Sequence, residues 1–258
     1  MSRCFYVHTV LIVCCQLVAF CDAALAAEWA TLKGQFVYDG AVPKPKTIVP
    51  TKDVDFCGKV QILDERLIVN QENAGIANII LYLRKKPSKI SSSYGANASQ
   101  EIRLDNIGCR FEPHVQLIQT SQELIVGNKD AVGHNTNFAA ISNALPNQLV
   151  PALGQYVAQF LEPELRPVKV DCNIHPWMSA YVVVKDHPYV AKTDADGRFE
   201  IKDLPCGEKL DIRIWHESSG WVRKVKSENI KFSKKGIKLM MDSDVDLGTV
   251  KVNAASFD

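Results

Sequence analysis

The sequence carries no surplus of either charge. Thirty Lys and Arg against 29 Asp and Glu leave a formal net charge of +1, which gives no support for nucleic acid or an anionic membrane surface as a partner. Glycine and proline, at 14 and 12 residues, are too few and too scattered for a low-complexity or collagen-like chain. A Gly-rich phosphate loop, a Ser nucleophile elbow and a His-Glu-x-x-His helix are all missing, so the chemistries those motifs carry have nothing to stand on. What is present is ordinary globular material. The chain has 258 residues, 47% hydrophobic and 23% charged, enough to bury a core in one large or two small domains.

The first residues are a separate matter. Met1-Ser2-Arg3 is a weakly basic start, Cys4 to Phe20 is almost uninterrupted apolar sequence, and Ala24-Leu25-Ala26 offers small residues where a signal peptidase reads. This pattern predicts a secretory signal peptide over residues 1–26, cut after Ala26 or Ala27, and a periplasmic or secreted mature protein. No later stretch is apolar enough to span a bilayer. Cleavage removes Cys4, Cys14, Cys15 and Cys21 and leaves Cys57, Cys109, Cys172 and Cys206. That is too few for a disulfide scaffold in a chain of this length, although an oxidising compartment allows pairing.

The mature chain reads as β throughout. Residues 32–38, 66–69, 77–83, 115–118, 123–126, 168–170, 180–184, 198–201, 210–215 and 249–252 are β-rich or alternate at period two. Asp39-Gly40 and Asp194-Ala195-Asp196-Gly197 are turn signals. Many short strands with frequent turns predict β-sandwiches. The one helix expected is short and lies between Leu149 and Phe160.

Between two of these strands lies Cys172-Asn173-Ile174-His175-Pro176-Trp177-Met178, a Cys-x2-His-x2-Met segment, and His134 stands upstream at the end of another strand and turn. One thiolate and two imidazoles with a distant thioether is the ligand set of a blue-copper site. A soft thiolate suits both copper oxidation states, imidazole serves both, and a weak axial thioether avoids the tetragonal geometry Cu(II) otherwise prefers. The flanking Asn128-Lys129-Asp130 turn and the His134-Asn135 pair complete a context in which residues from about Cys109 to Val184 resemble a cupredoxin of the plastocyanin and amicyanin type. The resemblance implies that His134, Cys172, His175 and Met178 bind one type 1 copper. Two positions depart from the pattern: Asp171 precedes the Cys, and His114 follows Pro113.

A second resemblance covers Val190 to Val252. Thr193-Asp194-Ala195-Asp196-Gly197-Arg198-Phe199-Glu200-Ile201 is similar to a carboxypeptidase-regulatory-like, transthyretin-type repeat, and the whole arrangement resembles exported planctomycete-type proteins that combine the two modules. Residues 34–40 and 76–83 read as the missing opening strands of that second module. The expected organisation is therefore all-β: N-terminal strands over 27–90 that belong to a prealbumin-like sandwich, a Greek-key cupredoxin domain over 91–186, and the remainder of the second sandwich over 187–258.

The function implied is electron transfer by an exported copper protein with a redox protein as partner, rather than catalysis. The alternatives are a mononuclear copper oxidase or reductase and a copper-carrying module. A thioether in the fourth place argues against an enzyme, because catalytic metals keep a position open. In the cupredoxin reading the edge of His175 reaches or nearly reaches solvent, and Pro176 and Trp177 form a small apolar surface through which electrons enter. With Cys172 assigned to copper, Cys57 and Cys109 are the expected disulfide, each lying just before a β-run, with Cys206 as the rival partner. His114, His187 and His216 read as structural.

Overall fold

The period-two pattern becomes strand almost everywhere it occurs, because one face of each run has apolar surface to bury. In the computed structural model, which describes residues 27–97, 101–120 and 122–257, the chain is all-β and builds two sandwiches. The proposed signal segment, residues 1–26, lies outside the described residues. Among the described residues no helix is long and apolar enough to cross a membrane.

The first sandwich is drawn from the middle of the chain. One sheet orders Gln148–Val150, His134–Phe138, Val168–Asp171, Ser179–Lys185 and Val115–Gln119; the other orders Gln155–Gln159, Glu123–Asn128, Ile102–Asn106 and Phe111–Glu112. Leu104, Phe111, Leu124, Val126, Phe160, Val170, Val182 and Val184 fill the space between them. The helix expected between Leu149 and Phe160 is absent. Gln148–Val150 and Gln155–Gln159 are strands instead, the second paired antiparallel with Glu123–Asn128. Pro151 and Gly154 interrupt any helix there, and the edges of Glu123–Asn128 and His134–Phe138 pair with these residues as strands. Arg66 to Val69 also falls short of a strand and makes a single bridge, Val69 to Ile76.

The second sandwich is drawn from both ends. Trp29–Asp39 lies between Arg198–Pro205, antiparallel, and Val245–Asn253, parallel. Ile80–Leu83 lies between Val190–Lys192 and Lys209–His216, antiparallel to each. Phe36, Leu81, Ile201, Ile212, Ile214 and Val250 form its core. The turn at residues 194–197 is closed by Asp194, whose carboxylate accepts from the N–H groups of Asp196 and Arg198. Gly197 there has φ +75°, and a Cβ at this position would meet the Phe36 carbonyl oxygen at 2.1 Å, so no other residue fits the close approach of the strands.

All four residues of Ile80–Leu83 are buried because both faces of the strand are covered. Leu81 and Leu83 point into the second core, while Ile80 and Tyr82 meet Val115 and Val183 of the first sandwich. Tyr181 and Trp215 extend that contact with ring centroids 4.8 Å apart, and Lys192 Nζ donates to the Val115 carbonyl at 2.7 Å. The two sandwiches therefore share an apolar seam, which makes them one packed body.

Between Asp39 and Gly75 the chain leaves the second sandwich, crosses to the first and returns. Tyr38 N–H donates to Ala74 and Ile76 N–H to Phe36, so the excursion starts and ends beside the same strand. Its outer part pairs Thr47–Ile48 with Ile62–Leu63 and holds a single helical turn, Val54–Cys57. Ile48, Phe56, Cys57 and Ile62 pack on the first sandwich. Cys57 is disulfide-bonded to Cys109, and Cys206 is a free, half-buried thiol.

Two stability predictions follow from these features. The disulfide closes a separation of 52 residues, and its removal by Cys57→Ala with Cys109→Ala should lower the unfolding free energy by roughly 4 kcal/mol, measured by urea denaturation. The second concerns His187 and His216, which burial holds at about 4, below the ordinary histidine value of 6.5. The unfolded chain then binds protons that the folded one refuses, so stability is lost as pH falls from 6.5 towards 4, by about 3 kcal/mol per ring. Thermal midpoints recorded across that window should fall in the wild type and fall less steeply in His216→Gln.

Candidate metal centre

The register of one strand pair assembles the centre. His134–Phe138 runs antiparallel to Val168–Asp171, with Asn137 opposite Asp171 and Phe138 opposite Val170. Continuing that register past Asp171 sets Asn135 opposite residue 173, so the residue after His134 faces the residue after Cys172. The contacts agree. Asn135 Oδ1 accepts from the N–H groups of Asn173 at 2.7 Å and Ile174 at 3.1 Å, and lies 3.5 Å from Cys172 Sγ. Its amide donates to Asn147 and Asn173.

The segment from Cys172 to Met178 folds back on itself as a closed loop. Cys172 N–H donates to the Met178 carbonyl at 3.2 Å, and Met178 N–H to the His175 carbonyl at 2.9 Å. His175 N–H points at Cys172 Sγ, 3.4 Å away. The loop thereby turns the His175 ring back over the sulfur. His134 Nδ1 and His175 Nδ1 lie 2.9 Å apart, and Cys172 Sγ is 3.7 Å from His175 Nδ1. One ligand atom each from His134, Cys172 and His175 fall within 4.8 Å of one another. All three residues are buried, and so is Met178, which belongs to the same core cluster.

Carboxylates take the far side of both rings. His134 Nε2 lies 2.9 Å from Asp130 Oδ2, and His175 Nε2 lies 2.8 Å from Asp53 Oδ2. A carboxylate can only accept, so each Nε2 carries the hydrogen. The two Nδ1 lone pairs are then turned towards each other across 2.9 Å, an arrangement that two neutral imidazoles cannot satisfy by themselves. A proton or a metal ion between them removes the conflict. This donor set of two imidazole nitrogens and a thiol sulfur, with Met178 in the same buried cluster as Cys172, fits copper.

Electrostatics favours the metal-binding forms of Cys172 and His175 and the protonated form of His134. Burial raises the Cys172 thiol, but hydrogen bonds from His134 and from the backbone of Asn135, His175 and Ile174 outweigh it and hold the thiol below its ordinary value. Burial lowers His134, yet Asp130 and Cys172 prevail and raise it. His175 is lowered, first by burial and then by His134, against the pull of Asp53. Asp130 is raised by burial but held low by His134 and by the N–H groups of Cys109 and Gly108, which donate to its two oxygens at 2.8 and 2.6 Å.

His175 differs from its expected exposure. Its ring is fully buried, closed over by Asp53 and by Trp177, whose ring centroid lies 5.1 Å away. Pro176 is exposed; Trp177 is half-buried and its Nε1 donates to the Cys109 carbonyl at 3.1 Å. His114 stands apart from the centre, at the seam between the sandwiches. It is buried, its Nε2 bonded to Glu217 and its Nδ1 3.7 Å from Glu65. Asp53 carries no sequence signal, since 122 residues separate it from His175.

No protein-family model and no curated protein matches the chain. Similar solved structures include an oxidised amicyanin variant, 24% identical over 33% of this chain and 82% of that one, TM-score 0.30. A copper-containing nitrite reductase from Thermus scotoductus is 19% identical over 33% of this chain and 22% of its own, TM-score 0.28. A purple cupredoxin from Nitrosopumilus maritimus is 18% identical over 33% of this chain and 100% of its own, TM-score 0.29.

Asn135 organises the loop through one buried acceptor, Oδ1, so truncating it leaves two backbone N–H groups unpaired. Asn135→Ala should cost about 2–4 kcal/mol in chemical denaturation, while Asn135→Asp, which keeps an acceptor oxygen there and loses only the amide donations, should cost less.

Proposed function

We propose that this chain is an exported type 1 copper protein that carries single electrons between redox partners. The observation that carries the reading is the pair of imidazoles whose Nε2 atoms are taken by carboxylates, leaving two Nδ1 lone pairs aimed at one point beside a thiol. His134, Cys172, His175 and Met178 would hold one copper, which would supply one-electron redox chemistry there. Asp130 fixes the tautomer and the orientation of His134. Asn135 sets the position of the thiol and of the loop that follows it.

Burial of all four candidate ligands supports a carrier over an enzyme, since it leaves no open position for substrate. A reversible one-electron couple separates the carrier from a copper-delivery module. The exposed Pro176 and half-buried Trp177 form a small apolar surface beside the loop, suited to the small interfaces of transient redox encounters. The partner is a redox protein. The Cys57–Cys109 disulfide supports export to the periplasm or beyond. The copper sandwich is a domain inserted into a second, prealbumin-like sandwich whose strands come from both sides of it in sequence.

The test is a visible and EPR spectrum of the Cu(II)-loaded protein. The wild type should show intense thiolate-to-copper absorption with a reversible couple, and Cys172→Ser should abolish the absorption with the fold intact. Met178→Leu should keep the colour and shift the potential, because the axial ligand tunes it. Colour that survives Cys172→Ser, or no colour in the wild type, overturns the reading.

A further inference from the structure

The excursion of residues 40–75 delivers an acidic side chain to the candidate metal centre from another part of the fold. Asp53 occupies the cap position of the turn Val54–Cys57, where an Asp side chain ordinarily accepts from the helix's first N–H groups. Here it makes no such bond. The backbone carbonyl of Asp53 takes the N–H groups of Phe56 and Cys57 instead, at 2.9 and 2.8 Å. The carboxylate reaches away from the helix to His175 Nε2, 2.8 Å distant. The backbone at Asp53 sits at φ 44°, ψ 45°, a left-handed conformation uncommon in residues other than glycine and held only where the surroundings impose it.

Those surroundings are specific. Cys57, one helical turn on, is bonded to Cys109. Cys109 N–H in turn donates to Asp130, the carboxylate on the other imidazole. Phe56 and Ile62 pack against the first sandwich on either side of the staple. One covalent link therefore ties together the carriers of both outer carboxylates. Asp53 is left with its side chain 44% exposed while the ring it touches is fully buried, so it stands between His175 and solvent.

We propose that Asp53 is the positioning residue for His175: by accepting from Nε2 it holds the ring with Nδ1 towards Cys172 and His134, and with residues 54–57 it closes the His175 edge to direct contact by a partner. The inference rests on the copper reading above and adds to it a group from a separate segment of the chain. An outer hydrogen bond of this kind fixes the orientation of a ligating imidazole and commonly accounts for 10–100-fold in metal affinity.

The experiment compares Asp53→Ala, Asp53→Asn and Asp55→Ala by Cu(II) affinity in competition with a chelator, and by EPR of the loaded proteins. Asp55 is exposed on the same helical turn, so its removal takes away an equal charge without touching His175. Asp53→Ala should weaken Cu(II) binding by about 10–100-fold and change the copper hyperfine splitting. Asp53→Asn, which keeps an acceptor oxygen, should recover most of the affinity. Asp55→Ala should match the wild type. Thermal melts of the copper-free proteins identify any variant that fails to fold; if Asp53→Ala does, the comparison of Asp53→Asn with Asp55→Ala decides, and an Asp53→Asn that binds far more weakly than Asp55→Ala overturns the hydrogen-bond role. An Asp53→Ala that folds and matches Asp55→Ala in affinity and EPR also overturns the proposal. Failure of the wild type to give a thiolate-copper spectrum overturns the copper reading itself, whereas a normal wild-type spectrum with an unaffected Asp53→Ala sinks only the role of Asp53.

Discussion

The antiparallel register between His134–Phe138 and Val168–Asp171 is the constraint from which the rest of the centre follows. A shift of one residue would turn His134 to the other face of its sheet and draw Asn135 away from the loop it organises. In the observed register, Asn135, near the start of one strand, meets residue 173, just past the end of the other. Asn135 then satisfies the backbone of residues 173 and 174, and the loop closes through Cys172 and Met178. Ligand geometry here is a consequence of backbone pairing, which is stiffer than any arrangement of side chains on an open loop.

Around that register the fold builds two layers of support. The inner one belongs to the first sandwich: Asn128 Nδ2 donates to the carbonyls of Val132, Val150 and Pro151, and its Oδ1 accepts from Asp130 N–H. Asp130 is thus set by backbone contacts on one side and by His134 on the other. The outer layer is borrowed. Residues 47–63 leave the second sandwich, cover the end of the first and are stapled there by Cys57–Cys109. The second sandwich does more than sit beside the first, because it sends the segment that buries His175.

The seam between the sandwiches explains why this borrowing is stable. Ile80–Leu83 is shared by two cores, and the buried His114 bridges Glu65 of the excursion and Glu217 of the second sandwich. Burial lowers His114, but the neighbouring Glu217 and Glu65 outweigh it and raise it. The shared seam and the Cys57–Cys109 disulfide hold residues 53–57 beside the first sandwich.

The sequence by itself determined the all-β class of fold and marked the candidate donors. Period-two alternation marked most strands, and Cys172, His175 and Met178 sit within seven residues of one another, so their chemistry is local and legible. The Asn128-Lys129-Asp130 turn and the His134-Asn135 pair were legible for the same reason. The apolar spacing of residues 149–160 suits a short helix, but Gln155–Gln159 pair with the free edge of Glu123–Asn128 as strand. What only the tertiary structure decided is contact between segments distant along the chain. Asp53 meets His175 across 122 residues and Glu217 meets His114 across 103. Neither pair leaves a mark in local pattern, because an exposed loop Asp or Glu looks the same whether it faces water or a buried imidazole; the burial of His175 is likewise a property of the chain that covers it, not of the loop that carries it.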